Sequence, residues 1–335
     1  MYDFHLKNGT KAVEPLIEDA MSTLGQQQDQ LPSLTLDAAT MQQLLDGSAL
    51  SVAVVAFNPT SWQVTKFIEV PCFQTNLNVV DANGNAVAYD ILPTLNLATG
   101  PCLVPETCGY ANVTSPYMLF VEAILPALGY ATYFVSVNTS AAIDGAVFTR
   151  SSETHQISNG VIKLEFDEIS NLLSHITNLA LRKSASVSQN FMQYEDLKSS
   201  TGGAYYLNPT GPATSLVDRP LAYEVVQGRF VTEVRQTFTV SCHDAALLNI
   251  TCGVTQVHRL FTSSDSTLQN VVDIVTSVGP LNIYKDFVSR YTTSLETDGV
   301  FFTDDNCFDT HQRQYNSSSM LTIYRVVFHL HTFHS

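Results

Sequence analysis

Hydrophobic positions along the chain follow two periods, and the change falls near residue 50. Val13, Leu16, Ile17, Ala20, Met21 and Leu24 recur at i, i+3, i+4, i+7, i+8 and i+11, one apolar stripe at the helical repeat. The spacing predicts a helix over 14–24. Thr10 is placed to cap its N-terminus and Gly25 to end it, and Gln26–Gln30 reads as a polar connector. One amphipathic helix with no partner in its own neighbourhood needs a surface: the β body, or further helices.

From Ser51 the pattern turns to β. Ser51–Phe57 (SVAVVAF) is a continuous apolar run stopped by Asn58-Pro59, as a buried strand would be. Thr65–Val70 alternates, and Asn78–Val80 and Ala86–Tyr89 flank Asn83-Gly84, a hairpin signal. Met118–Ile124 and Ala131–Val137 follow. A second block opens at Gly160–Phe166, whose alternation puts Ile162, Leu164 and Phe166 on one face. It continues through Ile169–Leu179, Ala222–Val226, Phe230–Val240, Gly253–Leu260, Val271–Val275 and Phe287–Thr293. Many short strands with turn signals between them describe a mainly β chain of two sandwich units with a short N-terminal helical segment, not a βαβ layout. The expected division is a helical segment over 1–45, a small β-sandwich over 46–145, a large C-terminal sandwich over 146–319 and a divergent tail over 320–335.

Composition narrows the function. Charged residues are 14% of the 335, and 16 Lys+Arg against 31 Asp+Glu give a net charge of −15. Such a surface repels phosphate backbones and anionic lipid, so neither nucleic acid nor a membrane is an expected partner. No stretch approaches the roughly 20 apolar residues that cross a bilayer. Met1–Lys11 lacks the apolar core of a signal peptide. Six cysteines (Cys72, Cys102, Cys108, Cys242, Cys252, Cys307) form no C-x-x-C pair. Cys102/Cys108 and Cys242/Cys252 are close enough to bridge a loop, with Cys72 and Cys307 a long-range pair or free thiols. Sequons stand at Asn8, Asn112, Asn138, Asn249 and Asn316. Cysteines and sequons together point to a glycoprotein of the secretory or lysosomal lumen, whose leader would precede this sequence.

Chemistry is sparse. The chain has no G-x-S-x-G, H-E-x-x-H, P-loop or G-x-G-x-x-G motif. Asp304–Asp309 is acidic but lacks the alternating frame and distal Glu of a calcium loop, and reads as a solvated turn. His329 and His331 would share a strand face, either as a metal pair or as part of an edge strand or terminus. Glycoside hydrolysis needs two carboxylates across a sugar. Glu165, Glu195, Glu224, Glu233 and Asp273 are candidates, and their spacing singles out no pair.

Six segments carry a resemblance. Phe57-Asn58-Pro59-Thr60-Ser61-Trp62 resembles the Y/F-N-x-L-x-W of the class II α-mannosidases, glycoside hydrolase family 38. Leu125–Tyr133 is similar to its L-P-x-L-G-Y/F-x-T-Y, and Asn159-Gly160 through Phe166-Asp167 to its N-G…F-D strand. Gly203-Ala204-Tyr205 resembles its S-G-A-Y, and Val278–Leu281 its V-G-P-I. Ser289-Arg290-Tyr291 with Phe301–Asn306 resembles its S-R-F…F-Y-T-D-S-N-G. The segments stand in family order over about Ser51–Tyr315.

The resemblance implies a zinc-dependent retaining exoglycosidase whose large C-terminal unit is a mutarotase-like supersandwich. It also implies that Tyr205 reaches the bound mannose and that Arg313, beyond the T-D-D-N turn, is a second substrate contact. Nothing here resembles the family's catalytic barrel, and His5 is out of register with its H-H-D ligand motif. The expected chain is therefore a non-catalytic C-terminal half, with no catalytic or metal residues of its own and no zinc bound. Its expected partners are a mannose-containing oligosaccharide and a catalytic domain or second subunit. The alternative reading is a stand-alone carbohydrate-binding β module.

Overall fold

The computed structural model describes residues 51–95, 115–138, 148–197, 207–216, 220–239, 253–279, 285–304 and 310–315. The helix expected over 14–24 lies outside them. Strands β1 (Ser51–Phe57), β2 (Val64–Cys72), β3 (Leu77–Asp81), β4 (Tyr89–Pro93), β5 (Tyr117–Leu125) and β6 (Tyr130–Val137) make two antiparallel sheets, ordered β1-β6-β3 and β2-β5-β4. Ile91, Leu119, Val121, Tyr133 and Val135 are buried between them.

The larger unit also has two sheets. One comprises β8 (Gln156–Ser158), β9 (Ile162–Phe166), β10 (Leu173–Asn178), β11 (Lys183–Glu195) and β12 (Thr214–Ser215), with β17 (Lys285–Thr293) added to β11. The other runs β16 (Asp273–Gly279), β15 (Gly253–Phe261), β14 (Val231–Thr239), β13 (Ala222–Gln227) and β7 (Thr149–Ser151). Ile162, Leu164 and Phe166 meet Val225, Val234 and Leu260 between these sheets, so β9 buries the face its alternation predicts. The hairpin β18 (Val300–Asp304) and β19 (Thr310–Gln314) pairs with itself. Helix is confined, among the described residues, to α1 (Ser266–Gln269), capped by the Asp265 carboxylate accepting from Thr267 N.

The two sandwiches stack on one another. Phe67, Leu92 and Phe120 of the β2-β5-β4 sheet pack on Val226, Val231 and Phe261 of the β7–β16 sheet. Phe67 and Phe261 stack face to face at 5.0 Å. Both middle sheets are thereby covered on two faces, which explains β15, where every residue is buried. Val254 and Leu260 face the β8–β17 sheet and Phe261 faces the small sandwich. A free antiparallel sheet would keep one polar face. Each large apolar side chain buried there contributes about 1.5–3 kcal/mol.

Three expectations need correction. Asn83-Gly84 does make a turn, with Gly84 at φ 82°, but the two arms share a single bridge, Val80 with Ala86. The hairpin is closed by backbone bonds from Asp81 N to Asn85 O and Val87 N to Val79 O, after which β3 pairs β6 and β4 pairs β5, so the chain crosses between sheets. The strand expected over Ile169–Leu179 begins only at Leu173, because the Asp167 carboxylate accepts from Ile169 N and Ser170 N and holds a turn. The strand expected over Val271–Val275 runs instead as β16, since α1 occupies the approach to it.

Candidate functional site

The junction between the sandwiches holds the densest charge among the described residues. Register sets Glu233, Arg259 and Asp273 side by side on β14, β15 and β16. Arg259 Nε donates to Glu233 Oε1 at 2.7 Å, and its Nη1 reaches Glu69 Oε1 at 2.8 Å and Asp273 Oδ2 at 3.3 Å. Arg235 Nε donates to the other Glu233 oxygen at 2.7 Å and its Nη2 to Pro93 O at 2.7 Å. The Arg259 guanidinium lies 4.8 Å from the Phe120 ring centroid. Burial works against its charge, but Glu233, Glu69 and Asp273 outweigh that and hold its pKa above the ordinary value. Nearby, buried Asp90 accepts from Phe230 N at 2.6 Å and Val231 N at 2.8 Å, and burial raises its carboxyl pKa.

This cluster is built to join sheets, not to attack a sugar. Both Glu233 oxygens are taken by guanidinium groups. The other candidate carboxylates are also engaged: Glu165 by Lys163 at 2.9 Å, Glu195 by Lys285 at 3.3 Å, Glu224 by Arg150 at 2.8 Å and Asp273 by Arg259. Glu233, Asp273 and Glu69 do converge, but on Arg259, the cation they share. Among the described residues no three His, Cys, Asp or Glu side chains converge on a metal position. These described residues do not fit a zinc centre.

Of the two expected substrate contacts, Tyr205 lies outside the described residues. Arg313 is exposed on β19, opposite Phe301, with its Nε donating to Thr303 Oγ1 at 3.3 Å. Cys72 is a free, buried thiol, and burial pushes its pKa up to about 12. Cys102, Cys108, Cys242, Cys252 and Cys307 lie outside the described residues, as do His5, His329, His331 and four of the five sequons. The fifth, Asn138, is half-buried at the end of β6. His258 is fully buried with neither ring nitrogen bonded, its ring set edge-on to Phe166 at 5.3 Å. The sequence reading missed the part played by Arg259, although an arginine inside the buried run of β15 is itself a signal that a counter-charge must face it.

The motif residues turn out to be turn builders. Asn58, 3% exposed, donates from Nδ2 to Trp62 O and Pro126 O and accepts Thr60 N on Oδ1, sewing the β1–β2 and β5–β6 loops together. Asn159 accepts from Val161 N and Ile162 N and donates to Phe261 O and Gln269 O across the sandwich. Gly160 beside it sits at φ 85°, a conformation that costs other residues about 1 kcal/mol or more.

The Glycosyl hydrolases family 38 C-terminal domain matches residues 157–329. The chain belongs to that family. Similar proteins include an "Alpha-mannosidase" of Canavalia ensiformis, 26% identical over 271 residues that are 76% of this chain and 26% of that protein. The "Lysosomal alpha-mannosidase" of Homo sapiens is 28% identical over 276 residues, 78% of this chain and 24% of that one. A solved α-mannosidase from Enterococcus faecalis V583 aligns with 84% of this chain and 36% of its own, at 12% identity and a TM-score of 0.47. This family 38 chain thus spans about a quarter of the length of those curated relatives. Asn159, Gly160 and Asp167 fall within the matched residues.

Proposed function

We propose that this chain is the C-terminal β half of an α-mannosidase acting in mannose and N-glycan breakdown, and that it is hydrolytically inactive by itself. The observation that carries the reading is the family match over 157–329, which is to the C-terminal domain. Retaining hydrolysis needs a nucleophilic carboxylate and an acid about 5 Å apart. The five carboxylates that were candidates for that pair are held by Lys or Arg, which supports a scaffold over a catalytic role. In this reading Tyr205 packs its ring on a mannose unit and Arg313 contacts a hydroxyl, both completing a pocket whose reacting groups come from a catalytic domain. Zinc belongs to that domain. The lysosomal relatives support a lysosomal or secretory lumen.

The test is expression of residues 1–335 with assays of bound zinc, aryl α-mannoside hydrolysis and mannose-oligosaccharide binding. The expected result is no zinc and no turnover, with activity appearing only when a family catalytic domain is supplied. Turnover by the chain alone, lost on changing one of its own carboxylates, refutes the reading. Oligosaccharide binding that needs no second domain favours the stand-alone binding module.

A further inference from the structure

Strand β1 is apolar on both faces. Val54 and Ala56 pack into the core of the small sandwich, so alternation turns Val55 and Phe57 to the opposite face of the β1-β6-β3 sheet. β6 continues that face, with Thr132 opposite Val55 and Tyr130 opposite Phe57. Phe134 follows on the same side, paired with Val80 of β3. None of these positions is charged, in a chain of net charge −15. A sheet with one free face carries polar residues there. Phe57 is 46% exposed at the rim of the face, whereas Thr132 at its centre is 4% exposed with its hydroxyl unpartnered among the described residues.

We propose that this sheet face is the docking surface for the apolar stripe of residues 13–24 of the same chain. The stripe Val13, Leu16, Ile17, Ala20, Met21, Leu24 has no partner in its own neighbourhood, and the first described strand after it in the chain is β1, which follows residues 25–50. A helix of this size is about 16 Å long and β1 about 23 Å, so one covers the other. The 26 residues 25–50 are enough connector: a random chain of that length averages about 30 Å end to end, sufficient to bring the stripe back along β1. Tethering gives the segment an effective concentration near the millimolar range. A second copy lacks that advantage and carries the same strong negative charge, so the intrachain segment is the favoured occupant.

The chain has one tryptophan, Trp62, which makes a clean reporter simple. In Trp62→Phe/Phe134→Trp the new indole stands on the proposed surface. Its emission should be blue-shifted and poorly quenched by acrylamide in the full chain. Adding Leu16→Asp, Ile17→Asp and Met21→Asp should red-shift it and raise quenching several-fold, with the far-ultraviolet β spectrum retained. Hydrogen exchange on the unaltered chain gives a reporter-free check: amides of 13–24 should be protected, and Val55→Asp should release them. An indole exposed from the start overturns the proposal. So does a buried indole indifferent to the three substitutions, and concentration dependence of its burial would then identify a second copy as the cover. Unprotected 13–24 amides overturn it as well, even if the reporter variant fails to fold.

Discussion

Replacing His258 by Leu should flatten the acid limb of the protein's stability curve. The imidazole is fully buried, bonds nothing through either nitrogen, and has burial as the sole cause lowering its pKa from 6.5 to about 3. The groups around it give no counter-charge: Phe166 is edge-on to it, and Tyr223 and His155 stand behind Phe166 in a chain of ring contacts. The folded pKa is depressed, so the contribution is fully present above the unfolded value near 6.5. It is lost as pH falls toward about 3, because the unfolded chain takes up a proton that the folded one refuses. At about 1.4 kcal/mol per pH unit, the folded state loses about 2 kcal/mol between about pH 6.5 and pH 5 through this residue alone. The assay is urea unfolding of both proteins at a series of pH values across that window, comparing slopes and not absolute stabilities, since the substitution also repacks the core. His258→Leu should lack the 2 kcal/mol decline. Equal slopes would show that His258 is charged or partnered in the folded state and would refute the reasoning.

Glu233→Gln leaves Arg235 and Arg259 buried with too little counter-charge, and should cost about 3–5 kcal/mol by denaturant midpoint. Replacing Lys285, the half-buried partner of exposed Glu195, should cost less than about 1 kcal/mol in the same assay. Asn58→Ala removes the bonds that join the β1–β2 and β5–β6 loops and should cost on the order of 3 kcal/mol, with Trp62 fluorescence reporting the loosened loop. Cys72, buried and with its pKa raised to about 12, should resist thiol reagents at about pH 8 until the protein unfolds, as titration with and without denaturant will read.

Local patterns were legible where one face of a strand meets a core. Ile162, Leu164 and Phe166 announced β9, and the apolar runs of β1 and β15 marked strands. β11 gave no such signal. Its KSASVSQNFMQYE carries Ser, Gln and Asn because neighbouring strands absorb their polar groups, as when buried Gln189 donates to Ser289 across the β11–β17 pair. The Asn83-Gly84 turn was readable and its pairing was not, since Gly84 fixes only the reversal while the choice of sheet depends on where Leu92 and Phe120 find partners. The Glu233–Arg259–Asp273 ladder was hidden for a like reason: three strands must first be aligned. Of the two expected contacts, Tyr205 lies outside the described residues and Arg313 stands on an exposed hairpin.

What made the family legible was therefore different from what would make its chemistry legible. Asn58, Asn159 and Asp167 each satisfy backbone N–H groups within a few residues of themselves, so their requirements are written locally and survive as short motifs. Such residues tell how the chain turns. A sugar site is assembled from groups far apart, each with its own supporting shell, and leaves no comparable local trace. The same logic explains the junction, where Arg259 reaches Glu69 across 190 residues of sequence. Its charge is tolerated only because Glu233, Glu69 and Asp273 arrive together, which couples the stacking of the two sandwiches to the correct register of β14, β15 and β16. A slip of one residue in any of these strands would turn its charged group to the opposite face, into the core shared with Leu164 and Phe166. The buried charge thus penalises misregistered pairings that an all-apolar junction would accept.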